Sequence, residues 1–472
     1  MALASSRRAA LLLALPLAGC GWLTPGPTSS GLTLPARMAG AEGAAEPAWP
    51  DPEWWRGFGA PELDRLMAEA MQANNDMAAA AARILQADAQ LRIAGAALLP
   101  TVDFAGQATR SQSGSVNTAS VTGARTARVR VTSSDRIALS ASYEIDFWGK
   151  NRAATEAAQL AATSARFAWA TLMLTTQASV ANTYFALLAF TEQLKLQRQN
   201  LEIAERVRQV IADRVTVGTG TGLDLAQQET VVAQQRAAIP PLVQQLEQNR
   251  NALGTLIGRP PEGIALAADV FTRVAVPRVM PGLPAEVLAR RPDVLSAESD
   301  LAAAQASVVA ARAALLPSVT LTGSGGYTSL ALETLTRPSS LIFTLAAGIA
   351  QPIFEGGRLR GQVQFNEARA QELLATYRGA ILAALVDTEN ALVGLRQATE
   401  QEALQAEAVR MAERAYAISE AQLRAGTIDL ITLLNTQQTL FSARNTLTSA
   451  RLARLQAAVG LFRALGGGWG NT

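Results

Sequence analysis

The sequence predicts a mixed α+β membrane protein made of two copies of one unit, a pair of β-strands able to cross a bilayer followed by a long helical hairpin. Three observations carry this. The phrase "AGAALLPTV" at residues 94–102 returns as "ARAALLPSV" at 311–319, an offset of 217. The residues after each phrase alternate between apolar and small polar, the period of a strand. Two stretches, about 149–217 and about 356–425, run without proline and carry helical spacing.

The chain opens on "MALASSRRAALLLALPLAGC": a charged start at Arg7 and Arg8, an apolar run from Ala9 to Leu17, then small residues and Cys20. This is a secretory signal, too short to span a membrane as a helix. "LAGC" (Leu17 to Cys20) resembles a bacterial lipobox, and the chain has one cysteine. Cleavage before Cys20 and lipidation of its thiol are expected, each buried methylene contributing about 0.8 kcal/mol. Gly21 stands in place of the Asp that retains some lipoproteins at the inner membrane. Residues 1–19 thus read as signal peptide and 20–60 as a lipidated N-terminal segment. The chain holds 41 basic and 39 acidic residues, and the signal contains two of the basic ones. The balance near zero argues against a nucleic-acid partner. Histidine is absent, which removes His bases, His metal ligands and any Ser-His or Cys-His pair. Aromatic content of 5% amid abundant Ala, Gln, Leu, Arg and Glu suits closely packed long helices.

The first repeat spans 61–260. Asp76 opens its entry helix, and Pro100 marks the junction into a strand hairpin over about 101–147. Val102, Phe104, Gly106 and Ala108 alternate with polar residues, and so do Ile137, Leu139, Ala141, Tyr143, Ile145 and Phe147. Between them Thr109 to Ser134, rich in Ser, Thr, Gly, Arg and Val, reads as an exposed loop. A helical hairpin follows over about 149–258, with a seam at Val180, Tyr184, Leu187, Leu194 and Leu201. Such a helix of roughly 70 residues would be about 100 Å long. It turns at Val217 to Leu225, and the return helix is expected to break at Pro240 and Pro241.

Residues 261–283 read as a linker and 284–468 as the second repeat, leaving 469–472 as a tail. Asp293 and Pro317 repeat Asp76 and Pro100 at the 217 offset. The second strand hairpin covers about 318–354. Val319, Leu321, Gly323, Gly325 and Tyr327 alternate with Ser and Thr, whereas Leu341 to Phe354 is apolar on both faces, with Pro352 as the mark of a bulge. Its helical hairpin covers about 356–465, turns at Ala425 to Leu430 and returns with Leu433, Leu440 and Leu447. The offset here is about 207, relating Phe147 to Phe354 and Gly149 to Gly356, with Gly218 answering Gly426. Four strands of about ten residues cannot close a barrel, and an open edge is not tolerated in lipid. If they span a membrane the chain must oligomerise, and 8, 12 or 16 strands all satisfy the spacing.

Five stretches join the lipobox in one pattern: "WWRGFGAPELDRLMAEAMQANND" (Trp54 to Asp76), "YEIDFWGKNR" (Tyr143 to Arg152), "ARRPDV" (Ala289 to Val294), "ARAALLPSVTLTGSGGY" (Ala311 to Tyr327) and "PIFEGGRLRG" (Pro352 to Gly361). Together they resemble a TolC-like outer membrane factor of the lipoprotein branch (NodT-type) that serves resistance-nodulation-division efflux systems. The resemblance implies a homotrimer with a 12-stranded barrel in the outer membrane of a Gram-negative bacterium. A helical coiled-coil barrel with a mixed equatorial region would continue it through the periplasm. It implies a passive exit duct for small molecules, worked by an inner-membrane proton-driven pump through a periplasmic adaptor, with no cofactor and no metal. Pro100, Pro317, Gly149, Gly356 and Gly357 would be strand–helix junctions. Gly218, Gly220, Gly222, Leu223, Gly426, Thr427 and Ile428 would form the adaptor-contacting tips. The gate would fall on the second return helix at Asn435 and Gln438, where the family often has Asp and Arg; Gln227 is the repeat counterpart of Asn435.

Two other classes compete. "GTGTG" (Gly218 to Gly222) has the look of a phosphate cradle, but no Lys follows in Walker spacing and no strand precedes it. A periplasmic adaptor or coiled-coil scaffold lipoprotein would share the signal and helical hairpins, yet would have one hairpin and soluble β domains.

Overall fold

A computed structural model describes residues 29–39, 49–117, 126–264, 271–278, 284–467 and 469. The signal segment and Cys20 lie outside the described residues. The chain divides into two compact units. One contains 85–164 and 298–376 and holds the sheet; the other contains 30–84, 165–297 and 377–472 and holds the main apolar core.

In the first unit, β1 (Thr101–Asn117), β2 (Thr126–Ile145), β3 (Ser318–Ser329) and β4 (Leu341–Ala350) form one antiparallel sheet in that order. The two repeats meet along β2 and β3. Phe104 pairs with Leu139, Leu139 with Gly325, and Gly325 with Phe343. The row two residues away runs Val102, Ala141, Gly323, Leu345. Alternate residues share a face, so these rows build one apolar face, extended by Ile137, Tyr143, Leu321, Tyr327, Leu341 and Ile349. Asp103, Ser140, Ser142, Thr322, Ser324 and Thr344 occupy the other. Pairing also gives β4 the phase that its own sequence leaves ambiguous.

Three expectations need correction here. β1 and β2 have 17 and 20 residues rather than about ten, and they run through much of the stretch read as a loop. Past the Asp135–Ser329 pair they bond only to each other, as a two-stranded ribbon ending at the Asn117–Thr126 pair. Thr and Val favour strands, and Ser and Thr pair across them, so a polar composition does not by itself mark a loop. Pro352 is not a bulge, because β4 has already ended at Ala350.

The chain leaves the sheet through capped junctions. Asp146 accepts from the backbone N–H groups of Asn151 (3.1 Å) and Arg152 (2.8 Å), at the start of α3. Trp148 Nε1 donates to the Pro317 carbonyl at 2.7 Å, tying one repeat's exit to the other's entry. Gly149, Gly356 and Gly357 have positive φ at these corners.

The helices are α1 (Pro61–Ala73), α2 (Asn75–Ala96), α3 (Lys150–Thr216), α4 (Gly222–Ala237), α5 (Ile239–Leu256), α6 (Pro284–Arg290), α7 (Pro292–Ala313), α8 (Arg358–Arg424) and α9 (Leu430–Ala464). α3 and α8 each have 67 residues. The first return is split at Ala238, and Pro240 and Pro241 sit in the first turn of α5, where a missing N–H leaves no bond unmade. In the second unit Phe58, Leu63, Leu66 and Met67 pack on Tyr184, Phe185 and Leu187 of α3 and on Phe462 of α9. Trp54 stacks on Phe462 with ring centroids 4.9 Å apart.

The repeat survives here as matched contacts. Asn74 donates to the carbonyl of Leu256, the last residue of α5, at 2.9 Å. Its repeat partner Arg291 donates to the carbonyl of Ala464, the last residue of α9, at 3.1 Å. Each thereby satisfies an orphan carbonyl of a helix end. A Cβ at Gly258 would lie 2.1 Å from the Ala73 carbonyl oxygen, and one at Gly466 would lie 2.5 Å from that of Arg290. Both glycines also have positive φ, so no other residue fits without movement.

Candidate functional site: a duct wall and its closing turns

Among the described residues of one chain, the outer edges of β1 and β4 have no strand partner. Phe104, Leu139, Phe343, Leu345 and Ile349 are 56–81% exposed on the single protomer, all on the apolar face. A sheet with two free edges and one apolar face is complete only as part of a larger closed sheet bathed in lipid. No helix among the described residues is long and apolar enough to cross a membrane.

α8 carries a second unpaired surface. Val386 and Val393 are exposed and seven residues apart; Leu404, Met411 and Ile418 repeat that spacing after a step of eleven. Seven- and eleven-residue steps are the marks of a coiled-coil seam. The stripe fits another helix of the same assembly.

Both turns end their long helices in the same way. Gly218 and Gly426 have φ of 75° and 74°. Thr219 N–H donates to the Arg214 carbonyl at 2.8 Å, and Thr427 N–H to the Gln422 carbonyl at 3.0 Å. These are the bonds of a glycine-closed helix end. The next helices start on Thr221, which forms a capping box with Asp224, and on Asp429, whose side chain accepts from Thr432 N–H at 2.9 Å. Gly222 is therefore the first residue of α4, not part of the turn, and a side chain at Gly220 would press on Arg214 and Val215.

The structure brings the two turns together. Val207 and Ile211 of α3, Leu423 of α8, and Leu430 and Leu433 of α9 form one buried cluster, joined by Val215, Leu225 and Ile428. Ile428 thus holds turn to turn rather than standing free for a partner. Leu223 (67%), Val217 (73%) and Ile431 (55%) are exposed apolar side chains there, and Thr427 is exposed. Asn435 and Gln438 share the exposed side of α9 with Thr432, Thr439 and Ser442, while Gln227 is half-buried.

Ion pairs bind α8 to α9. Arg444 meets Glu413 at 2.8 Å, and Glu402 accepts from Arg451 and Arg454, each at 2.8 Å. Burial alone would raise the Glu402 pKa; bonds and charges from Arg454 and Arg451 outweigh it and hold the carboxyl below the usual glutamate range. A depressed folded pKa stabilises above the unfolded value, about 4.3, and that contribution is lost as pH falls through the lower folded value. Glu402→Gln is therefore expected to lower the thermal midpoint at pH 7, by roughly 1–3 kcal/mol in stability. The difference from the parent should shrink as pH falls below the unfolded value and vanish once it has passed the lower folded one; a gap unchanged by pH contradicts the ionic role.

The sheet, junctions and paired hairpins have known counterparts. The model of the family described as "Outer membrane efflux protein" matches residues 66–259 and 283–467. The chain is 40% identical over 466 residues to the pyoverdine export outer membrane protein OpmQ of Pseudomonas aeruginosa, covering 98% of each. It is 31% identical over 430 residues to the probable efflux pump outer membrane protein TtgC of Pseudomonas putida, covering 90% of this chain and 87% of that one. Among solved structures it matches the outer-membrane channel OprN with a TM-score of 0.86 at 25% identity, covering 95% of this chain and 99% of that one. The open-state outer membrane channel MtrE of Neisseria gonorrhoeae matches with a TM-score of 0.82 at 27% identity, covering 94% and 97%. The free edges of the sheet are thus those that three copies close into a 12-stranded barrel, and the chain belongs to the outer membrane efflux protein family, as a passive channel rather than an enzyme.

Proposed function

We propose that three copies of this chain form the exit duct of a tripartite efflux pump, tethered at Cys20 and closed near the α8–α9 turn by Asn435 and Gln438. The observation that carries the duct is the sheet, apolar on one face, small and polar on the other, and unpaired at both edges. The duct supplies a path and no energy; an inner-membrane proton-driven pump supplies the work through a periplasmic adaptor. The adaptor meets the exposed parts of the two turns, Val217 to Thr221 and Gly426 to Thr427, together with Leu223 in the first turn of α4. The polar side of α9 around Asn435 supports a neutral ring at the closure.

Asn435→Asp tests the gate. Three carboxylates around a narrow axis repel one another, so they either hold a cation or raise a pKa. Conductance of the purified trimer is expected to become sensitive to divalent cations, most strongly at low salt. Unchanged block would take Asn435 out of the constriction. The same change at Gln227, half-buried on α4, is expected to do less.

Cys20→Ser tests the tether. Metabolic palmitate labelling should vanish while the trimer still assembles, because the sheet anchors it independently. Label retained by the serine variant would contradict lipidation at this residue.

A further inference from the structure

The polar face of the sheet carries little charge. Among the described residues of its four-stranded part, Asp103, Arg136 and Glu144 are the charged ones on that face. The rest are Ser, Thr, Ala and Gly, with Gln107 and Ile342. Glu144 lies at the end next to the helices and pairs with Lys150 at 2.5 Å. Asp103 and Arg136 are exposed and form no ion pair among the described residues.

Arg136 stands at the far rim. On the opposite face the apolar rows run from Ile145 and Ile349 to Ile137, Tyr327 and Leu341, and Asp135 ends them. From Ile145 to Ile137, a strand tilted by about 40° rises about 23 Å, close to the ~25 Å apolar band of a barrel in lipid. Arg136, between Ile137 and Asp135, therefore marks the outer mouth of the lumen. Its neighbours across the strands, Gln107 and Thr328, are neutral. Farther out, the same alternation reaches positions 130 and 128 of the ribbon, opposite Ser113 and Ser115, and both are arginine.

We propose that Arg136 from three chains forms a cationic ring at the outer mouth that makes the duct selective for anions. Solutes carrying carboxylate or phosphate groups are then the class it passes most readily. Reach decides between this ring and the opposed ring of Asp103. Twelve strands about 4.8 Å apart and tilted by about 40° close a wall of roughly 12 Å radius. An extended arginine carries its charge about 6 Å inward on its methylene stem, an aspartate about 3 Å. An ion on the axis is thus about 6 Å from three guanidinium groups but about 9 Å from three carboxylates, and the Debye length at physiological salt is about 8 Å. The arginine fields overlap at the axis, whereas the aspartate fields are largely screened there. A guanidinium also keeps its charge at any physiological pH and offers paired N–H donors to carboxylate and phosphate oxygens. The inference rests on the reading of three sheets as one duct.

Reversal potentials of the full-length trimer in planar bilayers, under a potassium chloride gradient, test it. The parent is expected to favour chloride over potassium by roughly threefold. Arg136→Gln should bring the ratio to about one and Arg136→Glu below it, while Arg136→Lys keeps the parent's preference. Asp103→Asn should change it little. Citrate should block the parent at roughly tenfold lower concentration than Arg136→Gln, most clearly at low salt. Arg136→Cys gives the same reading in a trimer already assembled: a cationic thiol reagent should restore the chloride preference and a neutral one should not. A chloride preference that survives in Arg136→Gln and Arg136→Glu, or a parent that favours potassium, would overturn the ring. So would a larger shift from Asp103→Asn than from Arg136→Gln, or no restoration by the cationic reagent. A trimer that passes no ions in any variant contradicts the duct and the ring with it, whereas ion flow indifferent to residue 136 contradicts the ring alone.

Discussion

Leu139→Arg is expected to leave almost no trimer in the outer membrane, while Ser140→Arg leaves most of it. Leu139 lies in the row Phe104, Leu139, Gly325, Phe343, on the apolar face and 56% exposed in one protomer. A guanidinium on the lipid side near the bilayer centre costs roughly 2–4 kcal/mol, and the trimer carries three copies. Ser140 is the next residue, so its side chain stands on the opposite face with Asp103 and Ser324. There an arginine meets water. Heat-resistant trimer on gels after detergent extraction measures both. Equal loss would mean that the two faces have been assigned wrongly.

The second large effect is expected at Arg291, in the "ARRPDV" stretch. Its guanidinium is buried and donates to both oxygens of Asp293, at 3.0 and 2.6 Å, to Asp387 at 3.3 Å and to the Ala464 carbonyl at 3.1 Å. Burial opposes the charge, but the bonds and charges of Asp293 and Asp387 prevail and hold the arginine pKa above its ordinary value. Arg291→Ala would leave the Ala464 carbonyl only the longer bond from the Thr388 hydroxyl, at 3.4 Å, and would take the cation from two carboxylates. Both acids are partly exposed and regain water, so the cost should fall near 3 kcal/mol, at about the low end for a broken buried pair. Arg291→Lys cannot reproduce the fork and should recover little of it. Asn74→Ala removes the smaller, uncharged version of the same tie and should cost about 1–2 kcal/mol. Urea midpoints of the purified trimer give the order; an Asn74 effect equal to that of Arg291 would contradict the account.

The sequence carried the repeat, both long helices and the strand faces because each is a local pattern. Leu139 and Ser140 declare their faces by alternation alone. The two proline-free stretches became α3 and α8. What it could not carry was set by partners distant in the chain. Strand register gave Leu341–Ala350 its faces. The stretch after Thr109 extends as strand because it has a partner in β2, which composition does not announce. The seam shows the same limit. Val180, Tyr184, Leu187 and Leu194 are buried as spaced, but the next buried positions are Gln197 and Asn200 rather than Leu201, because the buried face continues through Ala204 and Val207. Of the proposed tip residues, Ile428 reads as exposed in sequence and is half-buried because it packs on a cluster that both repeats build.

The most direct test is a disulfide between β1 and β4. Within one chain these strands are separated by β2 and β3, so their backbones lie roughly 14 Å apart, too far for a disulfide, which needs Cα atoms within about 7 Å. Ala105→Cys is combined in turn with Ile342→Cys, Thr344→Cys or Ala346→Cys, all on the polar side of the sheet. Oxidation in intact outer membranes followed by denaturing mass measurement is expected to give a covalently closed species of three chains for at least one pair. Monomer alone, or a ladder that passes three chains, would contradict a barrel made from three of these sheets.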